Sequence, residues 1–215
     1  MRYQIAIGIA KGLTYLHDKC RDCIIHCDIK PQNILLDASF APKVSDFGLA
    51  KLLGRDFSRV MTTMRGTIGY LAPEWISGTA ITAKADVFSY GMMLFEIISR
   101  RKNVEFGKQH MDSKFFPVLV AEKIQEGDVK ALLDLDADMR GDVNLEELKR
   151  ACMVACWCVQ EDESLRPTMA AVVQMLEGLL PVNMPPLPRY LQVLDEYADQ
   201  STDTWTDFSS SSYTL

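Results

Sequence analysis

The sequence predicts a mainly α-helical α+β fold that carries one small β element. Three stretches make that prediction. Ile5, Ile9, Leu13 and Leu16 recur at helical spacing among polar neighbours such as Lys11, so residues 2–17 read as an amphipathic helix. Residues 86–98 are apolar almost all round (Val87, Phe88, Tyr90, Met92, Met93, Leu94, Phe95, Ile97, Ile98), and a helix with no polar stripe is normally a buried one. This run is expected to be the central pillar of the core. Ile34-Leu35-Leu36 and Lys43-Val44-Ser45 are short apolar runs on either side of a turn-rich segment, which makes a hairpin.

The remaining elements follow from the same patterns. Residues 18–23 are a polar connector, and residues 51–67 hold Arg55, Arg59, Arg65, Ser58, Thr62, Thr63 and Thr67 without periodicity, so they read as a loop. Residues 115–133, 145–159 and 169–180 read as further helices, the last carried by Val172, Val173, Leu176, Leu179 and Leu180. At Pro181 the composition turns Pro-rich, then acidic and Ser/Thr-rich. Residues 1–180 are therefore read as one folded domain and 181–215 as a tail too poor in apolar residues to fold alone.

Composition narrows the partners. At 215 residues, 48% of them hydrophobic and 24% charged, the chain belongs with soluble globular proteins and has material for one sizeable core. Its 29 acidic against 23 basic residues leave no positive footprint, which excludes a nucleic-acid partner. No apolar stretch reaches the roughly 20 residues of a membrane span, and no secretory leader is visible, so the chain as written reads as cytoplasmic. The six cysteines are accordingly expected as reduced thiols. Cys20, Cys23, His26 and Cys27, with Cys152, Cys156 and Cys158, have spacings that zinc can use, but the second group lies on an apolar helix where cysteine acts as a small buried hydrophobe. Residues 136–147 nearly follow a calcium loop, yet Arg140 puts a cation at a ligand position, and Glu146-Glu147 suit the first turn of a helix. Pro185-Pro186-Leu187-Pro188-Arg189 fits either an extended linker or a polyproline ligand of an SH3-like domain.

The chemistry concentrates in residues 24–74. His26-Cys27-Asp28-Ile29-Lys30-Pro31-Gln32-Asn33 comes first, Asp46-Phe47-Gly48 follows with Asp46 thirteen positions after Asn33, and Ala72-Pro73-Glu74 closes the stretch through Gly66-Thr67-Ile68-Gly69-Tyr70. Alone, each motif is an ordinary turn or loop. Their order and separation together carry the signal. They resemble the catalytic loop, metal-binding turn and activation-segment end of a protein kinase. More narrowly, residues 66–75 and Ala155-Cys156-Trp157-Cys158-Val159-Gln160 resemble plant receptor-like serine/threonine kinases of the S-domain (G-type lectin) group, and the likeness to a kinase C-terminal lobe runs from about Tyr3 to Leu180.

The resemblance implies roles for the matched positions. Asp28 would take the proton of the substrate hydroxyl, Lys30 would steady the transferred phosphate, and Asn33 and Asp46 would hold Mg²⁺ through hard oxygen ligands. Thr67 would contact Asp28 and Lys30 in the serine/threonine class, and Leu35 would floor the adenine of ATP. Asp86 would accept backbone N–H groups near His26, Phe47 and Gly48 would shape the metal-binding turn, and Glu74 would pair with Arg166. Cys27 stands where many kinases carry an arginine that grips a phosphorylated loop, which resembles the non-RD kinases and implies that loop phosphorylation is not the main on-switch. The glycine-rich loop, ATP-binding lysine and helical glutamate of a kinase N-lobe do not precede Tyr3. His26 and Phe47 stack beneath apolar N-lobe residues in that family, so the chain as written is expected to expose apolar surface. The implied function is transfer of the ATP γ-phosphate to protein Ser/Thr hydroxyls, on the cytosolic side of the plasma membrane in a full-length receptor. The alternative is an inactive fragment that binds a substrate or a full-length receptor kinase.

Overall fold

The computed structural model describes residues 1–53, 67, 69–100, 116–134, 144–189 and 191. Helix α1 (Arg2–Thr14) widens into a π turn over Tyr15–Lys19 and leads to strand β1 (Cys23–Ile25). Strands β2 (Ile34–Leu36), β3 (Pro42–Val44) and β4 (Lys51–Leu53) follow, then the short helix α2 (Pro73–Ile76) and the long helix α3 (Lys84–Ser99). Helices α4 (Phe116–Glu126), α5 (Ala131–Asp134), α6 (Leu145–Cys158) and α7 (Met169–Leu176) complete the described elements.

Helix α3 is buried on every side, as its sequence requires, and Tyr90, Phe88, Phe95, Met92, Met93 and Leu94 are each 2% exposed or less. Its polar groups find partners within the packing. Ser89 Oγ donates to the Tyr70 carbonyl at 2.7 Å, and the Tyr70 hydroxyl donates to Glu96 Oε1 at 2.7 Å. Two further hydroxyls bind helices together: Tyr90 donates to the Ala6 carbonyl on α1 at 3.0 Å, and Tyr3 donates to the Leu176 carbonyl on α7 at 2.6 Å. Helix α6 starts at Asn144, whose Oδ1 accepts from the N–H groups of Glu146 and Glu147 at 3.0 and 3.2 Å, satisfying two orphan donors. Those two carboxylates lie in the first turn, where the helix dipole favours negative charge.

The β structure is two antiparallel pairs. In the hairpin β2–β3, Ile34 faces Val44, Leu35 faces Lys43 and Leu36 faces Pro42. The second pair joins β1 to β4, with Cys23 facing Leu53 and Ile25 facing Lys51. This corrects the expected loop over 51–67 at its first three residues: Lys51–Leu53 is a strand because β1 supplies its hydrogen-bond partners, a pairing that three residues cannot announce locally. Arg55, Ser58, Arg59, Thr62, Thr63 and Arg65 lie outside the described residues.

Two helical boundaries also differ from the sequence reading. The helix expected over 115–133 is broken by Gly127, whose φ of 75° is costly for a residue with a side chain, and residues 116–134 become α4 and α5. Helix α7 stops at Leu176 rather than 180, again just before a glycine, Gly178, in the left-handed region. The tail expected from Pro181 is not separate at its start, because Val182 and Leu187 pack against the core and Leu191 is 1% exposed. Residues 192–215 lie outside the described residues, as do 136–143 of the calcium-like stretch.

Gly91 sets how close α3 and α6 approach. A Cβ there would lie 2.7 Å from Cys158 Cβ and 2.8 Å from Val159 Cγ1. In a free helix Gly→Ala gains about 1 kcal/mol. Here the overpacking cost of about 1–3 kcal/mol should win, so Gly91→Ala is expected to lower the urea midpoint. A raised midpoint would mean that the two helices are not in close contact.

Candidate active site

The loop between β1 and β2 carries the candidate reacting groups, and α3 holds it in place. Asp86, in the first turn of α3 and fully buried, accepts from the backbone N–H of His26 at 2.7 Å through Oδ2 and from that of Cys27 at 2.9 Å through Oδ1. Charge-assisted bonds of this kind are about twice as strong as neutral ones. They offset the strain of Cys27, whose φ of 69° costs an L-residue about 1–2 kcal/mol. His17 Nε2, from the π turn, also meets Asp86 Oδ2 at 2.9 Å. The Cys27 thiol points inward, 3.5 Å from the Ile25 carbonyl, and burial together with nearby Asp86 pushes its pKa up to about 12.

His26 ties this loop to the end of β3. Its Nε2 lies 2.9 Å from the Ser45 carbonyl, which can only accept, so Nε2 carries the proton. Nδ1 is then the acceptor for the Asp28 N–H at 3.3 Å. The ring meets Phe47 edge-on with 5.0 Å between centroids. Phe47 follows Asp46, whose φ of 63° marks a tight left-handed turn closed by a bond from Gly48 N to Asp46 Oδ1 at 3.3 Å.

Asp28 is the centre of the cluster. Thr67 Oγ1 donates to its Oδ1 at 2.8 Å, Lys30 Nζ lies 2.8 Å from its Oδ2, and Asn33 Nδ2 donates to Oδ2 at 3.1 Å and to the Asp28 carbonyl at 2.8 Å. Lys30 Nζ also donates to Thr67 Oγ1 at 2.7 Å, closing a three-residue ring of contacts. Partial burial is the largest single influence on the Asp28 carboxyl and pushes its pKa up. The bonds from Lys30 and Thr67, the Lys30 charge and Asn33 together outweigh it and hold the carboxyl below its ordinary value. Asp28 is therefore ionised at neutral pH.

Hairpin pairing brings the two candidate metal ligands to one end of the sheet. Asn33 immediately precedes β2, and the Ser45 N–H and Oγ both donate to the Asn33 carbonyl at 2.9 Å, which sets Asp46 beside it in the chain. Asn33 Nδ2 is committed to Asp28, so its amide oxygen is the donor atom left for a cation. With the exposed Asp46 carboxylate this makes an all-oxygen pair, which fits Mg²⁺, a cation that keeps waters and substrate phosphates as its other ligands. Leu35, on the hairpin, is 56% exposed.

A buried ion pair braces the far end of the stretch. Arg166, 1% exposed, grips Glu74 with both Nη atoms at 2.7 and 2.9 Å. Its other N–H groups reach the carbonyls of Gln160 (2.7 Å), Lys84 (3.0 Å) and Glu161 (3.2 Å), and its guanidinium lies 5.1 Å from the Phe88 ring centroid. Every guanidinium donor has a partner, as a buried charge requires.

The zinc-like cysteines behave differently. Cys152, Cys156 and Cys158 are buried in α6, where burial raises each thiol, that of Cys156 to about 12. Among the described residues, no group of three or more His, Cys, Asp or Glu side chains could hold a metal. A hollow of about 290 Å³ lined by Arg2, Ile5, Glu96, Ile97 and Arg100 shares no residue with the Asp28 cluster.

The model of the protein kinase domain matches residues 2–176. The chain belongs to the protein kinase family. It is 64% identical over 196 residues to a G-type lectin S-receptor-like serine/threonine-protein kinase of Arabidopsis thaliana, covering 90% of this chain and 23% of the relative. Another protein of that description from the same plant, SD2-2, is 54% identical over 200 residues, covering 90% of this chain and 25% of the relative. A probable receptor-like protein kinase of Arabidopsis thaliana is 46% identical over 191 residues, which are 86% of this chain and 42% of that protein. The chain thus spans about a quarter of the length of the first two.

In this kinase chain two positioning features escaped the sequence reading. His17 continues the spacing of Ile5, Ile9 and Leu13, but its tie to Asp86 requires α3 to be in place. Strand β4 fixes the exit of β1 into the loop of Asp28, through a partner far along the chain. The helix α1 pattern gave a hint of the first, since His17 lies four positions after the buried Leu13 and so on the same face. No local signal marks the second.

Removing one partner of the buried pair leaves a charge without compensation. Arg166→Ala is expected to destabilise the fold by about 3–5 kcal/mol, read from chemical denaturation. A loss below about 1 kcal/mol would show that Glu74 re-solvates freely.

Proposed function

We propose that this chain is the large helical lobe of a receptor-like serine/threonine protein kinase, and that it supplies the floor and catalytic loop for transfer of the ATP γ-phosphate to Ser or Thr hydroxyls of a protein substrate. One observation carries the reading: an ionised Asp28 carboxylate held from three directions by Thr67, Lys30 and Asn33. As the substrate oxygen forms its bond to the γ-phosphorus and the bond to the β-phosphate oxygen breaks, the hydroxyl proton passes to Asp28. The Lys30 ammonium, 2.7 Å from Thr67 Oγ1, stabilises charge on the phosphoryl oxygens, and Thr67 orients both groups. Asn33 and Asp46 supply oxygen ligands for Mg²⁺, which neutralises phosphate charge when bound. Leu35 offers its exposed side chain to the adenine.

The regulatory reading rests on Cys27. It is 5% exposed, and its inward, neutral thiol offers no grip for a phosphorylated loop, so loop phosphorylation is not the main on-switch. In a full-length protein, Ser58, Thr62 and Thr63 all replaced by alanine should leave most of the activity intact. Abolished activity, measured as phosphate incorporated into a test protein, would sink this reading.

A second reading is favoured by a different observation. Leu35, Leu36 and Phe40 on the hairpin and Phe47 just after it are 46–56% exposed, apolar side chains suited to a protein partner. In the enzyme reading the rest of a catalytic domain covers this face at the cytosolic surface of the plasma membrane. In the alternative, the chain alone uses it to bind a substrate or a full-length receptor kinase. Among the described residues no helix is long and apolar enough to cross a membrane. A chain extended by the upstream lobe of a relative should transfer phosphate from ATP with Mg²⁺, and Asp28→Asn should slow it by roughly 10²–10⁴-fold. Failure of the extended wild type would reject the enzyme reading and leave the binding one.

A further inference from the structure

The segment after α7 bears a pattern that the kinase reading does not use. Val182 and Leu187 are half-buried, Pro185 and Pro188 are buried and Leu191 is 1% exposed, whereas 181, 183, 184, 186 and 189 are exposed. Over residues 182–188 burial recurs at 182, 185 and 188, the three-residue period of a polyproline II strand laid on a surface, with Leu187 also packed against the core. The strand ends where the Leu191 N–H turns back to the Pro188 carbonyl at 3.2 Å. Such a strand has no internal hydrogen bonds, so its carbonyls need outside donors, and proline supplies no N–H in return.

The body of the molecule presents donors at matching points. Trp157 Nε1, on α6, donates to the Asn183 carbonyl at 2.9 Å. Gln125 Nε2, on α4, donates to the Pro185 carbonyl at 2.6 Å, and Gln160 Nε2 donates to the Pro186 carbonyl at 3.0 Å. Gln160 is itself held by a second bond from Nε2 to the Cys156 carbonyl at 2.8 Å, so its amide is oriented before the strand arrives. An indole and two carboxamides reading three carbonyls within four residues of an extended proline-rich strand is the kind of arrangement by which peptide-binding domains take such ligands.

We propose that the surface between α4 and α6 is a binding site for an extended proline-rich peptide, and that this chain fills it with its own segment beginning at Val182, of which residues 182–189 and Leu191 are described. Pro185 and Pro188 are then the anchors of an internal ligand and are not open to an SH3-like partner. The proposal does not depend on the phosphotransfer reading.

The test uses the full chain and limited trypsin cleavage after Arg189, which is exposed but lies inside the bound segment. Trp157→Phe keeps an aromatic ring and deletes one donor, so cleavage should quicken about five-fold, the factor for one lost hydrogen bond. Adding Gln125→Met should quicken it further, while melting stays cooperative. Next, a fluorescent synthetic peptide with the sequence of residues 181–191 should bind saturably to the full chain bearing Pro185→Ser and Pro188→Ser, and not to wild type. If that double variant unfolds, the trypsin series on Trp157→Phe decides alone. Unchanged cleavage in Trp157→Phe, equal peptide binding by wild type and double variant, or equal capture of wild type and Trp157→Phe by an SH3 domain would overturn the proposal.

Discussion

The carboxylate of Asp86 is the constraint on which the rest of the site depends. It sits at the start of a helix with no solvent-facing side, and taking a charge out of water costs several kcal/mol unless donors surround it. The His26 and Cys27 N–H groups and the His17 ring meet that need. In doing so they bend the chain at Cys27 and aim the next residue, Asp28, outward. Core packing and site geometry are thus one problem here: α3 is stable only if its carboxylate is satisfied, and the loop holds its strained shape only if α3 is buried.

The same economy recurs at the other end of the stretch. Arg166 and Glu74 satisfy each other across two helices and a loop, with backbone carbonyls taking the remaining guanidinium donors. Buried polar networks of this kind are costly when half-made and rigid when complete. The two networks hold the loop of Asp28 at one end and Glu74 at the other, while Asp46, just after the hairpin, stays exposed. Rigidity below and access above suit a surface on which a substrate must be positioned.

Much of this was legible from residue order. The apolar run of 86–98 announced a buried helix because no polar face interrupts it, and the amphipathic repeat of α1 did the same for a helix with one wet side. The motifs around Asp28, Asp46 and Glu74 were legible through order and spacing. What escaped was pairing at a distance. Lys51-Leu52-Leu53 carries no strand signal, since Leu52 is 69% exposed and the element is three residues long. The docked proline segment read more readily as a linker, because the donors that hold it lie on and just after α4 and α6.

By itself, then, the sequence determined which segments are helical, which helix is central, and which acidic, amide and basic side chains stand near one another along the chain. Those properties follow from periodicity and short-range spacing, which are written in adjacent residues. The contacts of Asp86 with the loop of Asp28 and of Thr67 with Asp28 and Lys30 came from the resemblance and not from local pattern, while tertiary structure alone decided that His17 joins Asp86, that β4 exists, and that residues 182–189 and 191 lie against the body. Each is an interaction between residues far apart in the chain, and a hydrogen bond forms only where folding has brought its donor and acceptor within about 3 Å.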